Sequence, residues 1–193
     1  MNLRLLSAAD MVMALPMAEA IEGMKGAYAQ LSKGQATMPL RSRIDVPATG
    51  GLLVMPAFLE ENGALAVKVV SVFPQNVDLG LPIIHALVMV VDSVTGQPQA
   101  LLEGGTLTAI RTGAASGAAT DLLARQDATS VAIIGSGVQA RTQLEAVCTV
   151  RDIREVRIQP GPAAGGRIRG SFGWKRSDSD ENNRSSGCGH GCC

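Results

Sequence analysis

The spacing of apolar residues divides the first part of the chain into a helical segment and a β-rich segment. Ile21, Met24, Tyr28 and Leu31 recur at helical spacing and predict a helix that ends at Gly34. Beyond that glycine the apolar period shortens to two, which is typical of strands whose two faces differ. The alternation predicts a meander of about five strands, over residues 38–46, 52–58, 64–72, 83–92 and 99–102.

A long helix and a glycine turn follow the predicted meander. Residues 104–124 are rich in Ala, Gly and Thr and predict a helix that packs closely against its neighbours. Residues 131–134 are a short apolar, β-branched run, as expected of a strand buried on both faces. Gly135-Ser136-Gly137 predicts a tight turn, and helical spacing resumes from Val138 until a second strand at residues 155–158.

Strand, glycine turn, helix and strand in this order match the fingerprint of dinucleotide-binding βαβ units. Gly135, Gly137 and Ala140 occupy its G-x-G-x-x-A positions. The first glycine allows the sharp turn, the second leaves room for a pyrophosphate, and Ala140 allows the helix to lie close to the sheet. The helix N-terminus would present N–H groups to the phosphates. The alternative is a structural turn that requires glycines only for its geometry.

Cationic side chains occupy unusual positions in the first part of the chain. Lys68 lies in the middle of an apolar predicted strand, where a charge is costly unless it is paired or used. Arg111 projects from the small-residue helix, and its guanidinium group suits a carboxylate. Together with Arg41 they could form a pocket for the carboxylate of an amino or imino acid. Alternatively, Lys68 extends to solvent and Arg111 forms a structural pair with Asp92 or Glu103.

The composition is typical of a globular protein, and the charge balance indicates no strongly charged binding partner. The chain has 193 residues, of which 46% are hydrophobic and 18% are charged. Its 17 basic and 17 acidic residues give a formal net charge of zero, which argues against binding to nucleic acid or an anionic membrane. No apolar run approaches the roughly 20 residues of a membrane span, and residues 1–10 lack the pattern of a secretion signal. We therefore expect a cytoplasmic protein.

Several short motifs follow one another in an order that resembles a known protein family. They are Met38-Pro39-Leu40-Arg41, Val67-Lys68-Val69-Val70, Phe73-Pro74-Gln75-Asn76, Gly80-Leu81-Pro82, Thr95-Gly96-Gln97-Pro98, Leu107-Thr108-Ala109-Ile110-Arg111-Thr112 and Ile133-Ile134-Gly135-Ser136-Gly137-Val138-Gln139-Ala140. Their order and spacing resemble the ornithine cyclodeaminase/mu-crystallin family, from about residue 3 to residue 158.

The resemblance implies an α/β protein with two parts. Residues 1–124 would form an N-terminal α+β domain for substrate binding and dimerisation, and residues 125–158 the first βαβ unit of an incomplete Rossmann domain. It further implies an oxidoreductase of small amino or imino acids, of the alanine dehydrogenase or cyclic ketimine reductase type. NAD or NADP would be the cofactor, and the assembly would be a homodimer. The alternatives within the family are ornithine cyclodeaminase, which forms proline and ammonia from ornithine, and a non-catalytic NADPH-binding protein similar to mu-crystallin.

The resemblance also implies roles for individual residues. Arg41, Lys68 and Arg111 would contact the substrate carboxylate, and Lys68 would be the catalytic residue that assists proton transfer. Arg43 is a rival to Arg41, because alternate residues of a strand share one face. His85 would either line the cleft or be a satisfied core histidine. The residues that would lie against the cofactor are Thr112, Gly135, Gly137, Val138, Gln139 and Ala140.

The family pattern stops abruptly after Ile158. Residues 159–193 contain eight glycines, and their only large apolar residues are Ile168, Phe172 and Trp174. Neither a helix nor a strand is predicted there, and the composition is that of a disordered tail. We interpret the break as a change of reading frame or a wrong gene end.

Three cysteines and one histidine crowd the end of this tail, at positions 188, 190, 192 and 193. Together they could fill a tetrahedral zinc shell, but the adjacent Cys192 and Cys193 have poor geometry for one metal ion. We therefore predict no metal site, with Cys188 and His190 left without a metal role.

Two functional features of the family fall beyond the point where the pattern stops. The family's catalytic Asp lies downstream of the first βαβ unit, and its adenosine-ribose site follows the second Rossmann strand. Neither can be placed in residues 159–193, so the position that distinguishes NAD from NADP is missing. We expect the chain as written to be inactive or nearly so.

Overall fold

The computed structural model describes residues 2–159 and, for residues 172–175, the backbone. It divides into two compact units. Among the described residues, the first unit contains 2–16 and 25–108, and the second contains 17–24 together with those from 109 onward.

The helices of the described chain are α1 (Ala8–Ala14), α2 (Met17–Ser32), a 3-10 helix (Pro74–Leu79), α3 (Gly104–Leu123) and α4 (Val138–Val150). Ser7 begins α1 with a capping box: its hydroxyl accepts from the N–H of Asp10, whose carboxylate accepts from the N–H of Ser7. The helix predicted from the spacing of Ile21 to Leu31 is α2. None of these helices has both the length and the apolar character needed to cross a bilayer.

The sheet of the first unit has seven strands: β1 (Arg4–Leu6), β2 (Ala36–Thr37), β3 (Ser42–Val46), β4 (Gly50–Leu59), β5 (Ala64–Val72), β6 (Ile84–Val91) and β7 (Pro98–Glu103). Their order is β1-β7-β6-β5-β4-β2, with β3 also paired to β4. Only the pairing of β1 with β7 is parallel. The predicted meander is confirmed, except that the strand expected over residues 38–46 begins at Ser42.

The cross-strand register places Lys68 on the face of the sheet that carries the core of the first unit. Val70 lies on the same face of β5 and pairs with Leu53 on one side and Ala86 on the other. These three residues form a buried apolar cluster. Lys68 lies two residues away and pairs with Met55, which packs against that cluster. The lysine stem therefore runs along apolar surface, which costs little, while its ammonium group requires a polar partner.

The second unit contains the predicted βαβ fragment. β8 (Ser130–Ile134) and β9 (Glu155–Gln159) are parallel neighbours, and α4 connects them. The parallel pair requires a crossover helix, and the sequence pattern of strand, glycine turn, helix and strand is confirmed. Within the described residues β8 has one strand neighbour, so its other edge is open.

A further strand, β10 (Phe172–Lys175), pairs antiparallel with the other edge of β9. The composition of this segment predicts no strand, and for these four residues that prediction is wrong. The outer edge of β9 presents backbone N–H and C=O groups, which an extended segment of almost any composition can satisfy. The rest of the predicted tail, including Cys188 and the other cysteines at its end, lies outside the described residues.

Small residues of α3 allow close contact with α4 in the second unit. A Cβ added to Gly113 would lie 2.4 Å from the carbonyl oxygen of Thr142. A Cβ added to Gly117 would meet the side chains of Ile21 at 2.7 Å and Ala146 at 3.0 Å. Both helices therefore approach each other more closely than side chains would permit, as the composition of residues 104–124 predicts.

A buried guanidinium group holds the C-terminal end of α3. The side chain of Arg151 is only 2% exposed and pairs with the Asp121 carboxylate, Nη1 to Oδ1, at 3.1 Å. Its other hydrogen bonds go to backbone carbonyl oxygens, those of Thr120, Asp121, Ala124, Arg125 and Val150. These carbonyls include orphan acceptors of the last helical turn, which one planar cation satisfies together.

Candidate functional site

Lys68 is the best-defined member of the candidate site. It is half-buried on β5, and its Nζ donates a hydrogen bond to Oγ1 of Thr108 at 2.6 Å. The Thr108 hydroxyl in turn donates to the carbonyl oxygen of Gly104, one turn earlier in α3. The sequence left open whether this lysine reaches solvent, and the structure shows its ammonium group bonded to the first turn of α3. Thr108 lies within one of the sequence motifs, but a threonine near a helix start is ordinary, so its position in the sequence indicates no role.

The start of α3 is fixed against the sheet by its neighbours. A Cβ added to Gly104 would lie 2.7 Å from the backbone of Ala86, so the helix begins directly on β6. The Glu103 carboxylate caps this end by accepting from the N–H groups of Gly105 and Thr106, at 2.6 and 2.7 Å. Partial burial acts to raise the pKa of Glu103, but these N–H groups and the Thr106 hydroxyl outweigh it and lower the pKa.

The two candidate arginines near β3 are placed differently. Arg41 is exposed and lies one residue before β3, so it is outside the strand in which it was expected. Arg43 is inside the strand, where its Nε contacts Oδ1 of Asp45 at 2.5 Å. The rival cation is thus engaged with a neighbouring carboxylate, and the expectation that both arginines share one strand face is wrong, because β3 starts too late to include Arg41.

Arg111 is exposed on α3, within the second unit, and Thr112 beside it is half-buried. The sequence left open a structural pair between this arginine and Asp92 or Glu103. Both carboxylates are used locally. Glu103 caps α3, and Asp92 accepts from the N–H and hydroxyl of Thr95 and from the N–H of Val94, contacts that lower its pKa.

His85 lies on the opposite face of the sheet from Lys68. It pairs with Ser71, which is an odd number of residues from Lys68 along β5 and therefore faces the other way. Its side chain is exposed. The interpretation of His85 as a core histidine is therefore wrong, and the alternative, that it lines the cleft, stays a prediction. Periodicity alone could not decide this, because residues 83–92 are apolar at nearly every position.

The turn between β8 and α4 contains both glycines of the G-x-G-x-x-A pattern. Gly135 has φ of +104°, a conformation that favours glycine, and its N–H donates to the carbonyl oxygen of Gln159 at 2.8 Å. Gly137 is the N-cap of α4, and no side chain caps this end among the described residues. Val138 and Gln139 follow with exposed side chains, and Ala140 is half-buried.

The two glycines of this turn are required for different reasons. The positive φ of Gly135 explains that glycine by backbone geometry alone. Gly137 has φ of −77° and ψ of −175°, which any residue can adopt, and no described atom lies within 4 Å of a Cβ added there. A purely structural turn therefore explains why position 135 is glycine. Within the described residues it does not explain why position 137 is glycine. Open space beside uncapped helical N–H groups fits a pyrophosphate.

No group of three or more potential ligands that could hold a metal ion occurs in the part of the chain that the structure describes. Cys148 is half-buried on α4 and forms no disulfide within the described residues. The cysteines and histidine near the C-terminus were predicted to bind no metal, and they lie outside the described residues, so that prediction stays open.

The chain resembles known proteins over most of its described length. One relative is the Delta(1)-pyrroline-2-carboxylate reductase of Bacillus cereus strain ATCC 14579, 43% identical over 141 residues, or 72% of this chain and 43% of the relative. Among solved structures, the Thermococcus litoralis Delta(1)-pyrroline-2-carboxylate reductase in complex with NADH and L-proline is 49% identical, with a TM-score of 0.74. An archaeal alanine dehydrogenase dimer with bound NAD is 35% identical, with a TM-score of 0.76.

The chain is shorter than these relatives. The match to the Thermococcus litoralis reductase covers 80% of this chain and 48% of that one, and the match to the alanine dehydrogenase covers 82% and 48%. The chain therefore spans less than half the length of each of these three relatives. The sequence model of the ornithine cyclodeaminase/mu-crystallin family matches residues 2–162. The protein belongs to the ornithine cyclodeaminase/mu-crystallin family.

Proposed function

We propose that this chain carries the carboxylate-binding and pyrophosphate-binding parts of an NAD(P)-dependent oxidoreductase of small amino and imino acids. The observation that carries the proposal is the half-buried Lys68, held in an apolar strand by Thr108. A cation in such a place is costly unless it has a use. A carboxylate brought to it gains more than it would in water, because the apolar surroundings screen the attraction less.

The proposed substrate site combines three cations. Lys68 would bind one oxygen of the substrate carboxylate, and Arg111 would offer the planar fork that suits two oxygens. Arg41 is preferred to Arg43 because the Asp45 carboxylate already occupies Arg43. Lys68 is also the proposed catalytic residue, because an amine at the reacting centre can donate or accept the proton of a Cα–N group. Fixing the carboxylate would orient that centre for reaction.

The proposed cofactor site is the turn that follows β8. The pyrophosphate would lie over Gly137, against the N–H groups at the start of α4 and beside Val138, Gln139 and Ala140. Gly135 would shape the turn, and Thr112 would contribute from α3. The bound NAD or NADP would supply the hydride that the reaction transfers. NADH or NAD accompanies the two solved relatives, which supports a nicotinamide cofactor here.

Reduction of a cyclic imino acid is the preferred reaction among those that the family offers. The support is the identity to two Delta(1)-pyrroline-2-carboxylate reductases, at 43% and 49%, compared with 35% to the alanine dehydrogenase. Ornithine cyclodeamination and ligand binding without turnover remain as the alternatives that the experiment below separates. A cytoplasmic location is part of this proposal.

A homodimer is the proposed assembly. On the sheet face opposite to Lys68, the cross-strand partners Val69 and Leu87 are 36% and 54% exposed. Ile44 on β3 is 62% exposed. Adjacent apolar side chains on a sheet face are typical of a surface that another chain covers. The alanine dehydrogenase relative is a dimer. Sedimentation of the 193-residue chain as a monomer at micromolar concentration would contradict this assembly.

The test of the proposed site is binding of L-proline in the presence of NADH, with prolinamide as the matched ligand that lacks the carboxylate. We expect the unaltered chain to bind L-proline and not prolinamide. Lys68→Met should abolish binding while the circular dichroism spectrum is retained, because an apolar side chain suits β5. Arg111→Lys should weaken binding, because an ammonium group cannot replace the bidentate fork. Unchanged affinity in Lys68→Met would overturn the proposed site.

The reaction type requires turnover measurements with three substrate sets: pyruvate with ammonia, Delta(1)-pyrroline-2-carboxylate, and ornithine. For the 193-residue chain we expect little turnover, because its parallel sheet has two strands among the described residues and β8 has an open edge. A chimera that continues residue 158 into the second half of the Thermococcus litoralis reductase should consume NADH with the cyclic imino acid. Conversion of ornithine without net change in NADH would favour the cyclodeaminase, and binding without any reaction the non-catalytic protein.

A further inference from the structure

We infer that Thr108 is a positioning residue for Lys68: it sets where the ammonium group stands to receive a carboxylate. This inference rests on the proposed function, since it names the partner that prepares the proposed carboxylate site. It starts from the 2.6 Å contact between Nζ of Lys68 and Oγ1 of Thr108, both of which belong to half-buried side chains.

The direction of the two hydrogen bonds follows from the protons available. The carbonyl oxygen of Gly104 can only accept, so the single hydroxyl proton of Thr108 is donated to it. The lone pairs of that hydroxyl are then left to accept a proton from Nζ of Lys68. A valine at position 108 would have nearly the same shape and neither function. A serine would retain both.

The fold explains why a threonine in α3 meets a lysine in β5. Gly104 lies directly on Ala86 of β6, and Ala86 pairs with Val70 of β5. Lys68 lies two residues from Val70, roughly 6.7 Å along the strand. Thr108 lies four residues from Gly104, roughly 6 Å along the helix. The distance from Val70 to Lys68 along β5 is thus similar to the distance from Gly104 to Thr108 along α3. The contact of Gly104 with the sheet therefore determines that Thr108 reaches Lys68.

The consequence concerns the flexible stem of the lysine. An ammonium group on four carbons samples many rotamers, and a ligand that binds it must select one of them. The hydrogen bond to Thr108 selects the position of Nζ before any ligand arrives. Removal of this bond should therefore weaken carboxylate binding without removing the charge, whereas Lys68→Met removes both.

The variants for the test are Thr108→Val, Thr108→Ser and a matched control on another helix. Thr149 on α4 provides the control, because its hydroxyl donates to the carbonyl oxygen of Glu145, four residues earlier, at 2.8 Å. Thr149→Val thus removes the same kind of helical hydrogen bond without affecting a lysine. Equal melting curves for the two valine variants would show that any difference between them is not a difference in folding.

The first measurement needs no substrate. The 193-residue chain is treated with a limiting amount of acetic anhydride, and acetylation of Lys68 is compared by peptide mass spectrometry with that of Lys33, which is exposed. We expect Thr108→Val to raise the relative rate at Lys68 severalfold, because the released amine samples more solvent. Thr108→Ser and Thr149→Val should leave the rate unchanged. An unchanged rate in Thr108→Val would overturn the inference.

The second measurement is the affinity for L-proline with NADH present. We expect Thr108→Val to weaken it about tenfold, the usual effect of losing one hydrogen bond to a charged group. Thr108→Ser should restore the affinity, and Thr149→Val should not change it. If Lys68→Met abolishes binding while Thr108→Val has no effect, the inference fails and the proposed function stands. If the unaltered chain binds no L-proline, the proposed site fails, and the acetylation rates still decide whether Thr108 holds Lys68.

Discussion

The two units present their candidate sites with different kinds of chemical group. In the first unit the site depends on a side chain, the ammonium group of Lys68, whose position is set by a sheet strand and by Thr108. In the second unit the site depends on the backbone. The turn after β8 offers uncapped N–H groups at the start of α4 and open space at Gly137.

This difference determines which substitutions each unit should tolerate. At position 68 of β5, an apolar residue would preserve the strand but remove the ammonium group. A change of side-chain chemistry there should therefore affect the candidate site more than the fold. A single added methyl group matters at the glycine turn because it fills space or strains the backbone. The packing of the units differs in the same way. The first unit has an extended antiparallel ladder, whereas the second relies on close helix contacts and one buried cation.

The largest effect should come from that buried cation. Arg151→Met would remove a donor from five carbonyl oxygens, because the Arg151 side chain bonds to each of them and is only 2% exposed. The carbonyl oxygens of Thr120 and Arg125 would keep the N–H groups of Ala124 and Ala128 as donors. We expect a loss of about 3 kcal/mol or more in the free energy of unfolding. Hydrogen exchange should quicken at the C-terminal end of α3 before it changes in β5.

The matched control is Arg125→Met, which removes an exposed arginine and its contact with Asp127, at 2.6 Å. An exposed ion pair contributes little, so unfolding by urea should be indistinguishable from that of the unaltered chain. If Arg151→Met were as harmless as this control, the second unit would not depend on the buried cation, and the contrast between the units would disappear.

Close packing of α3 on α4 should give the next largest effect. A Cβ at Gly113 would lie 2.4 Å from a carbonyl oxygen of α4, so Gly113→Ala must push the helices apart. We expect it to lower the free energy of unfolding by about 2 kcal/mol. Gly23→Ala is the control in α2, where no atom of the described residues lies within 4 Å of an added Cβ. That variant should stabilise the chain by up to about 1 kcal/mol.

The two glycines of the turn separate a structural role from a cofactor role. Gly135→Ala places a side chain at φ of +104° and should cost about 1–2 kcal/mol of stability. Gly137→Ala should leave the melting temperature unchanged, because the backbone is ordinary and the space is open. It should nevertheless weaken NADH binding about tenfold, since the methyl group occupies the place of the pyrophosphate. Full NADH affinity in Gly137→Ala would contradict the proposed cofactor site.

The smallest effect concerns the cap of α3. The pKa of Glu103 is lowered in the folded chain, so its stabilising contribution is present above the ordinary carboxyl pKa and is lost as the pH falls through the folded value. Glu103→Gln should therefore cost about 1 kcal/mol at pH 7, and this cost should shrink as the pH falls below the ordinary carboxyl pKa. Glu60→Gln, which removes an exposed carboxylate from the β4–β5 turn, is the control. If Glu103→Gln lowered the free energy of unfolding equally at all pH values, the cap would depend on the shape of the side chain and not on its charge.

The elements whose periodicity is strong were predictable from the sequence. The alternation of apolar residues predicts β4 to β7, and the glycine turn between an apolar run and a helical period predicts β8 and α4. β1 was missed, because three residues are too short for a period to be recognised. β10 was missed because its pairing depends on the free edge of β9 and hardly on its own composition.

The residues of the candidate site also divide into those that the sequence could predict and those that it could not. Lys68 attracts attention in the sequence because a charge interrupts an apolar strand, and Gly135 and Gly137 do so by their spacing. The positions of Arg41 and His85 were not predictable. The first depends on where β3 begins, and the second depends on a register in a run that is apolar at nearly every position. Thr108 carries no sequence signal that separates it from other threonines near a helix start.

By itself, the sequence determined the kinds of element, their order, the family and the chemical identity of the candidate groups. Those properties depend on residue type and on short-range spacing, which a linear pattern records directly. Tertiary structure alone decided that Thr108 holds Lys68, that no described residue gives position 137 a steric reason to be glycine, and that Arg151 binds carbonyl oxygens at the end of α3. Each of these facts depends on distances between residues far apart in the chain, or on space that only neighbouring elements define, and the linear pattern contains neither.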